Sequence, residues 1–409
     1  MKKLVIASVI TLIFLSILHK TFDSDSLLFG SKIGNMTEYV PLLGYPLENH
    51  YVETEDGYIL NLHRIPYGIN TSDSSRPPVL LMHGLLSSSM DWIMPGPNKS
   101  LGLILADAGY DVWLGNNRGN TYSRNHTAWD ADRDKERFFN YSYHEIGVYD
   151  LPAMIDEVLS VTGHSKLTYI GFSEGFTSFL VMGSIKPRYN NKILLMNALA
   201  PVTNMFDVTS IPINLTARYS LVLQIAKKLK WFEMFTPRGF GNFFRFICRN
   251  QVFCDYFFKM LGSSNQILGD KDYQLSILSN FPAGMSLKQI IHYIQGSLQG
   301  TFAAFDYGPN GNLAQYGQIT PPSYNLSEVS SPMAIYYSES DNLVNSRTLL
   351  ETVVPQLPNM LEIFHVPYPN FNHLDYLWAR NMTILLQKVI KNVNKANKRF
   401  PKTTSSLKK

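Results

Sequence analysis

The feature that most constrains this chain is an alternation of two hydrophobic periods. Short apolar-rich runs at 78–82 (PVLLM), 110–114, 167–170 and 192–199 alternate with stretches of helical spacing. Those stretches are 101–108, 176–185 and 149–161, where Leu151, Ile155, Val158 and Leu159 fall on one helical stripe. A five-residue run that is apolar on both faces is a strand covered on both sides. Such strands joined by helices form βαβ units and a mostly parallel sheet. Two β-rich runs, 51–54 and 58–65, precede the alternation, and Glu55-Asp56-Gly57 between them is a hairpin signal.

The alternation stops near residue 203. From there to 325 the sequence is helical, aromatic and irregular. The window 240–258 alone holds Phe240, Phe243, Phe244, Phe246, Phe253, Tyr256, Phe257 and Phe258. The segment 286–299 reads as an amphipathic helix with Leu287, Ile290, Ile291, Ile294 and Leu298 on one face. The β/α pattern resumes with a strand at 333–337, a helix at 346–354, a strand at 361–366 and a helix over 376–393. The expectation is an α/β fold with a mostly parallel sheet flanked by helices. Its two parts, 35–202 and 326–393, are interrupted by a mainly helical cap at 203–325 and followed by a basic tail at 394–409.

The ends of the chain speak of destination. Lys2 and Lys3 precede an apolar-rich run to Leu18, the pattern of a secretory signal over about residues 1–20, short for a membrane span of about 20 residues; no clear small-x-small cleavage site follows, so a signal anchor is the alternative. No stable membrane span is expected once it is removed. Eight N-x-S/T sequons, at Asn35, Asn70, Asn98, Asn125, Asn140, Asn214, Asn325 and Asn381, fit a lumenal route and mark surface positions for glycosylation. The formal charge is +4. After Asp375 there are nine cations and no acid, so the remainder carries −5. The excess describes a tail and excludes a nucleic-acid-binding face. Cys248 and Cys254 lie six residues apart. On one continuous helix they would rise about 9 Å, beyond the reach of a bridge, so a disulfide requires a break there.

Gly171-Phe172-Ser173-Glu174-Gly175 follows a buried strand and opens a helix. That setting turns a weak G-x-S-x-G string into a nucleophile elbow, in which a sharp strand–helix turn pushes a serine up at the end of the sheet. A hydroxyl needs a base, and in this arrangement the acid and then the histidine follow the serine in the chain. Downstream lie His292 on the amphipathic segment, His365 inside a strand, and His373 in a loop after the last strand, where a base belongs. After the strand 333–337 come Glu339 and Asp341; Asp341, further out in the loop, is preferred, although an Asp there also suits a helix N-cap. Its task is to hold the His373 tautomer and stabilise the imidazolium. The oxyanion donors are expected to be the backbone N–H groups of Glu174 and, in the loop His83-Gly84-Leu85-Leu86, of Leu85. There is no H-E-x-x-H, no Cys/His zinc spacing, no Walker A string and no G-x-G-x-x-G. Neither a metal nor another cofactor is expected.

The stretches TEDGYIL (54–60), HGLLSSSMDW (83–92), LADAGYDVWLGNNRGNTYSR (105–124), YDLPAMID (149–156), GFSEG (171–175), FDYG (305–308) and NHLDYLW (372–378) resemble the acid lipase family of α/β-hydrolases, the group of gastric and lysosomal acid lipases. They run in family order over about residues 35–390. The resemblance implies the nucleophile at Ser173, the acid at Asp341, the base at His373 and oxyanion donors at Leu85 and Glu174. It also implies a cap and lid across 203–325, and hydrolysis of triacylglycerols or cholesteryl esters at a droplet or micelle surface by a secreted or lysosomal protein. Three departures stand out. Phe172 and Glu174 replace a usual His and Gln around the nucleophile. The loop after Asp341 reads NLVNSRT. The upstream partner of the family's lid cysteine is absent. Glu174 frames the alternatives to a lipase: an esterase for smaller esters, or a lipid-binding pseudoenzyme impaired by a carboxylate beside the oxyanion.

Overall fold

Six parallel strands form the centre of the molecule. The computed structural model describes residues 35–69, 76–203, 228, 231–235, 246, 248–264 and 267–399. Its strands are β1 (Glu48–Glu53), β2 (Tyr58–Ile65), β3 (Pro78–Met82), β4 (Asp111–Leu114), β5 (Asn125–His126), β6 (Leu167–Phe172), β7 (Ile193–Leu199), β8 (Glu233–Met234), β9 (Met285–Ser286), β10 (Met333–Tyr337) and β11 (Met360–His365). The main sheet has the order β1-β2-β4-β3-β6-β7-β10-β11. From β4 to β11 every neighbouring pair is parallel. At one edge β2 is antiparallel to β1, β4 and the short β5. β8 and β9 form a separate antiparallel ribbon.

The unbroken apolar runs are explained by two cores, one on each face. Along β3, Val79 and Leu81 enter one core while Leu80 and Met82 enter the other, and β4, β6 and β10 divide in the same way. The first face is covered by the helices Leu101–Asp107 and Thr383–Arg399, the second by Leu151–Thr162 and Glu174–Ile185. Successive side chains of a strand point to opposite faces, so a strand with a helix on each side is apolar at most positions. The edge strand β11 lacks this double cover and alternates between half-buried and exposed residues.

The last helix extends beyond the expected Val393. A short helix, Asp375–Trp378, is followed by Thr383–Arg399, with Val393 and Ala396 buried against the sheet. The segment expected as one helix at 346–354 is a turn of α-helix, Ser346–Thr348, that passes into π and 3-10 geometry.

Between β7 and β10 the described residues form the helices Gln251–Met260, Lys271–Ile277, Leu287–Gln299 and Pro309–Tyr316. Cys248 and Cys254 are bridged, with Cα atoms 4.4 Å apart. The helix begins only at Gln251, so Cys248 sits in the turn before it, which supplies the break that a bridge requires. The helix Leu287–Gln299 (the cap helix hereafter) inverts the expectation from its apolar stripe. Gln289, His292, Tyr293, Gln295, Gly296 and Ser297 are buried together with Ile291, whereas Leu287, Ile290, Ile294 and Leu298 are only half-buried. Its polar stripe finds hydrogen-bonding partners inside the protein, and that satisfaction makes burial of polar atoms tolerable. Leu287 and Ile290 pack instead on the cluster that Leu85 and Leu86 also join.

Six sequon asparagines, Asn35, Asn98, Asn125, Asn140, Asn325 and Asn381, are exposed. Asn70, Asn214, the 1–20 signal segment, Phe240, Phe243, Phe244 and residues 401–409 lie outside the described residues. No helix among the described residues is long and apolar enough to cross a membrane.

Candidate active site

Ser173 stands between the end of β6 and the helix Glu174–Ile185, with φ +51° and ψ −111°. A non-glycine residue at positive φ stores strain of about 1–3 kcal/mol and persists only where its surroundings enforce it. Here the enforcement is steric. A Cβ on Gly171 would lie 2.8 Å from the Gly175 carbonyl, and one on Gly175 would lie 2.5 Å from the Met82 carbonyl oxygen. Both glycines are therefore needed for the helix to start this close to the sheet. Ser173 makes no side-chain cap hydrogen bond, so its hydroxyl remains available for another partner.

That partner is His373. Ser173 Oγ lies 2.9 Å from His373 Nε2, and His373 Nδ1 lies 2.9 Å from Asp341 Oδ2. All three are at most 5% exposed. With Asp341 accepting at Nδ1, the ring carries its proton there and presents a lone pair at Nε2 to the serine hydroxyl. Asp341 Oδ1 accepts from the N–H groups of Leu343 and Val344 at 2.9 and 3.1 Å, which fixes the carboxylate. Asn345, not Asp341, caps the following helix, and Glu339 is exposed. The loop of His373 is held from three sides. Asn372 Oδ1 accepts from the N–H of Asn342 and of His373, Asp375 accepts from the N–H of Asn372 and of Ser264, and Leu374 donates to the Gly262 carbonyl. Phe172, where the resembled family has His, packs its ring 5.0 Å from that of His373.

Other histidines are structural. His292 is buried on the cap helix, joined to Ser142 Oγ and the Ala303 carbonyl at 2.9 Å each and stacked on Tyr143. Burial lowers it to about 3, so it stays neutral. His83 donates from Nδ1 to the Gly84 carbonyl, and its Nε2 accepts from the Asn117 N–H at 3.2 Å. It ties the 83–86 loop to the NNRGN stretch. His365 is exposed on β11.

The loop of one expected oxyanion donor, Leu85, lies against the serine, and the other, Glu174, follows it in the chain. A Cβ on Gly84 would lie 3.0 Å from Ser173 Cβ, which sets the 83–86 loop against the serine. The Leu85 N–H has no acceptor among the described residues. The Glu174 N–H opens its helix and so has no intrahelical acceptor. The Glu174 side chain is buried, and its Oε1 accepts from Gln289 Nε2 at 2.8 Å. Burial, opposed by the hydrogen bond of Gln289, pushes it up to about 8, which favours the neutral carboxyl at pH 7. Nothing in the sequence places Gln289 or Tyr293 beside it, because the contact joins residues more than a hundred positions apart.

Among the described residues no cluster of His, Cys, Asp and Glu could hold a metal ion. The arrangement can activate a hydroxyl, stabilise an oxyanion and return a proton to a leaving group, which is acyl-transfer chemistry.

The family model described as the α/β-hydrolase fold matches residues 77–379, and that of the partial α/β-hydrolase lipase region matches 36–96. The chain is 40% identical to "Lipase 1" of Drosophila melanogaster over 90% of its own length and 80% of the relative's. It is 38% identical to the gastric triacylglycerol lipase of Bos taurus over 84% and 87%. Among solved structures, a soluble variant of monoglyceride lipase from Saccharomyces cerevisiae superposes with a TM-score of 0.51 at 16% identity, over 91% of this chain and 99% of that one, a likeness of fold.

Proposed function

This chain belongs to the α/β-hydrolase lipases of the acid lipase family and is a carboxylic-ester hydrolase, and on that premise we propose that Ser173, His373 and Asp341 cleave neutral lipid esters, triacylglycerols or cholesteryl esters, in the secretory pathway. The observation that carries the reading is the continuous hydrogen-bonded line from Ser173 Oγ through His373 to Asp341, built on a strained elbow. Ser173 Oγ attacks the ester carbonyl while His373 Nε2 takes its proton. The N–H groups of Leu85 and Glu174 receive the oxyanion. As the tetrahedral intermediate collapses, the alcohol leaves with the proton from His373. Water, deprotonated by the same nitrogen, then releases the fatty acid from Ser173.

The choice of a lipid ester draws support from the apolar surroundings. Leu85, Leu86, Leu287 and Ile290 are half-buried on one cluster near the elbow. On and before the helix Gln251–Met260, Phe246, Val252, Phe253 and Tyr256 are 56–74% exposed. Exposed apolar side chains gathered in one region suit contact with a lipid surface. In this reading the inserted 203–325 segment is a cap with a lid that meets a droplet or micelle. Secretion is supported by the exposed sequons and the Cys248–Cys254 bridge, which suit an oxidising compartment.

The test is covalent labelling with a fluorophosphonate followed by hydrolysis of triacylglycerol emulsions and cholesteryl esters. Labelling should be lost in Ser173→Ala and not in Ser178→Ala. A wild-type protein that refuses the label would sink the catalytic assignment. Turnover confined to short monomeric esters would favour the small-ester esterase.

A further inference from the structure

Glu174 carries a buried titratable side chain for which the acyl-transfer scheme has no use. It is 1% exposed and engaged by the cap helix. Oε1 accepts from Gln289 Nε2 at 2.8 Å, and Oε2 has no hydrogen-bond partner among the described residues. Gln289 is itself held in a capping box, since its Oε1 accepts from the Ser286 N–H at 2.9 Å and its N–H donates to Ser286 Oγ at 3.1 Å.

The neighbouring hydroxyls do not serve this carboxyl. Thr177 donates its one proton to the Val202 carbonyl at 2.6 Å, in preference to the Ser173 carbonyl at 3.5 Å. Tyr293 donates its own to Thr177 Oγ1 at 3.0 Å, so neither hydroxyl has a proton left for Glu174. With one donor on Oε1 and none on Oε2, a carboxylate here would lack the partners that a buried charge requires.

We propose that Glu174 is a neutral carboxylic acid serving as a positioning residue. It fastens the cap helix to the nucleophile elbow through Gln289, and its ionisation sets a like charge beside the developing oxyanion. The proposal rests on the reading of Ser173 as nucleophile. Among the described residues no cation compensates. Lys288, the neighbour of Gln289, is paired with Glu145 at 3.1 Å, and Arg118 is paired with Asp56 and Asp150. The other titratable groups facing Glu174 are Tyr141, Tyr143 and Tyr293, each held well above 10 by burial, and Asp150, which is neutralised by Arg118. His292 on the same helix is neutral. Burial pushes Glu174 itself up to about 8, so the neutral carboxyl prevails through acid and neutral pH and the charge appears above it.

The experiment is the pH dependence of kcat/KM on a soluble ester from pH 5 to 10 for wild type, Glu174→Gln and Glu174→Ala, each profile normalised to its own value at pH 6.5. Wild type should fall on the alkaline side through a single ionisation near pH 8, by about tenfold per pH unit beyond it. Glu174→Gln keeps the contact to Gln289 without an ionisable group, and its alkaline fall should vanish. Glu174→Ala should be impaired at every pH, with the Gln variant restoring most of the loss. Superimposable normalised profiles for wild type and Glu174→Gln would overturn the proposal, as would an Ala variant as active as wild type. Fluorophosphonate labelling of Ser173 in the same samples keeps the two claims apart. If the label reacts at Ser173 while the profiles coincide, the nucleophile stands and the role of Glu174 falls.

Discussion

Replacing Arg118 by Met should be strongly destabilising, and the cost should depend on pH. Arg118 lies in the NNRGN stretch and is 2% exposed. Its guanidinium donates to both oxygens of Asp56 at 2.6 and 2.8 Å and from Nε to Asp150 at 2.7 Å, and it lies 3.9 Å over the Tyr58 ring. One side chain thus joins the β1–β2 turn, the loop after β4 and the start of the helix Leu151–Thr162. Met fills a similar volume but leaves Asp150, which is fully buried, without its cation. Breaking a buried pair on one side costs about 3–5 kcal/mol, against a total stability of about 5–15 kcal/mol. Burial, opposed by Arg118, holds Asp150 at about 6, above its ordinary 3.8. The sign follows. A carboxyl whose folded pKa is raised favours the folded state in acid and loses that advantage as pH rises through the folded value. Removing Arg118 raises it further. The deficit of Arg118→Met should therefore be about 4 kcal/mol at pH 8 and roughly half that at pH 5, where Asp150 is protonated with or without the arginine. Urea unfolding at both pH values, with Arg118→Met/Asp150→Asn closing a double-mutant cycle, measures this directly. A deficit below about 1 kcal/mol at pH 8, or one that does not change with pH, would refute the reasoning.

Ser173→Ala and His373→Ala should each lower ester turnover by about 10⁴-fold or more with little change in melting temperature, because members of a triad act as a unit; retention of most activity by either variant in a continuous ester assay would undo the assignment. Gly175→Ala should prevent the elbow from forming, since the new methyl would sit 2.5 Å from the Met82 carbonyl oxygen; a variant with wild-type yield and melting temperature would show that the turn tolerates what the geometry forbids. Val252→Ser with Phe253→Ser should reduce hydrolysis of emulsified triacylglycerol several-fold while sparing a monomeric ester, because the changed side chains are 74% and 62% exposed; equal losses on both substrates would argue against an interfacial role.

The sequence by itself determined the sheet and which residues are proposed as reactive. A strand such as β3, covered on both faces, has to be apolar throughout, so its run of five could be read locally. The elbow was legible for the same reason. Gly171, Ser173 and Gly175 answer to constraints within a few residues, and chain order then selected Asp341 and His373. Only the tertiary structure decided which face of the cap helix turns inward. An apolar stripe of Leu287, Ile290, Ile294 and Leu298 predicted one face, and the polar stripe of Gln289, His292 and Tyr293 was buried because Glu174, Ser142 and Thr177 await it on other elements. The state of Glu174 was undecidable for the same reason. A carboxyl beside a nucleophile is a charge in water and an acid when buried without a cation, and burial is set by residues more than a hundred positions away. The Cys248–Cys254 bridge likewise hung on where one helix begins. Periodicity and steric need act along the chain and leave their mark there. Desolvation and hydrogen-bond pairing arise between segments, and they acquire a value only when the fold brings those segments together.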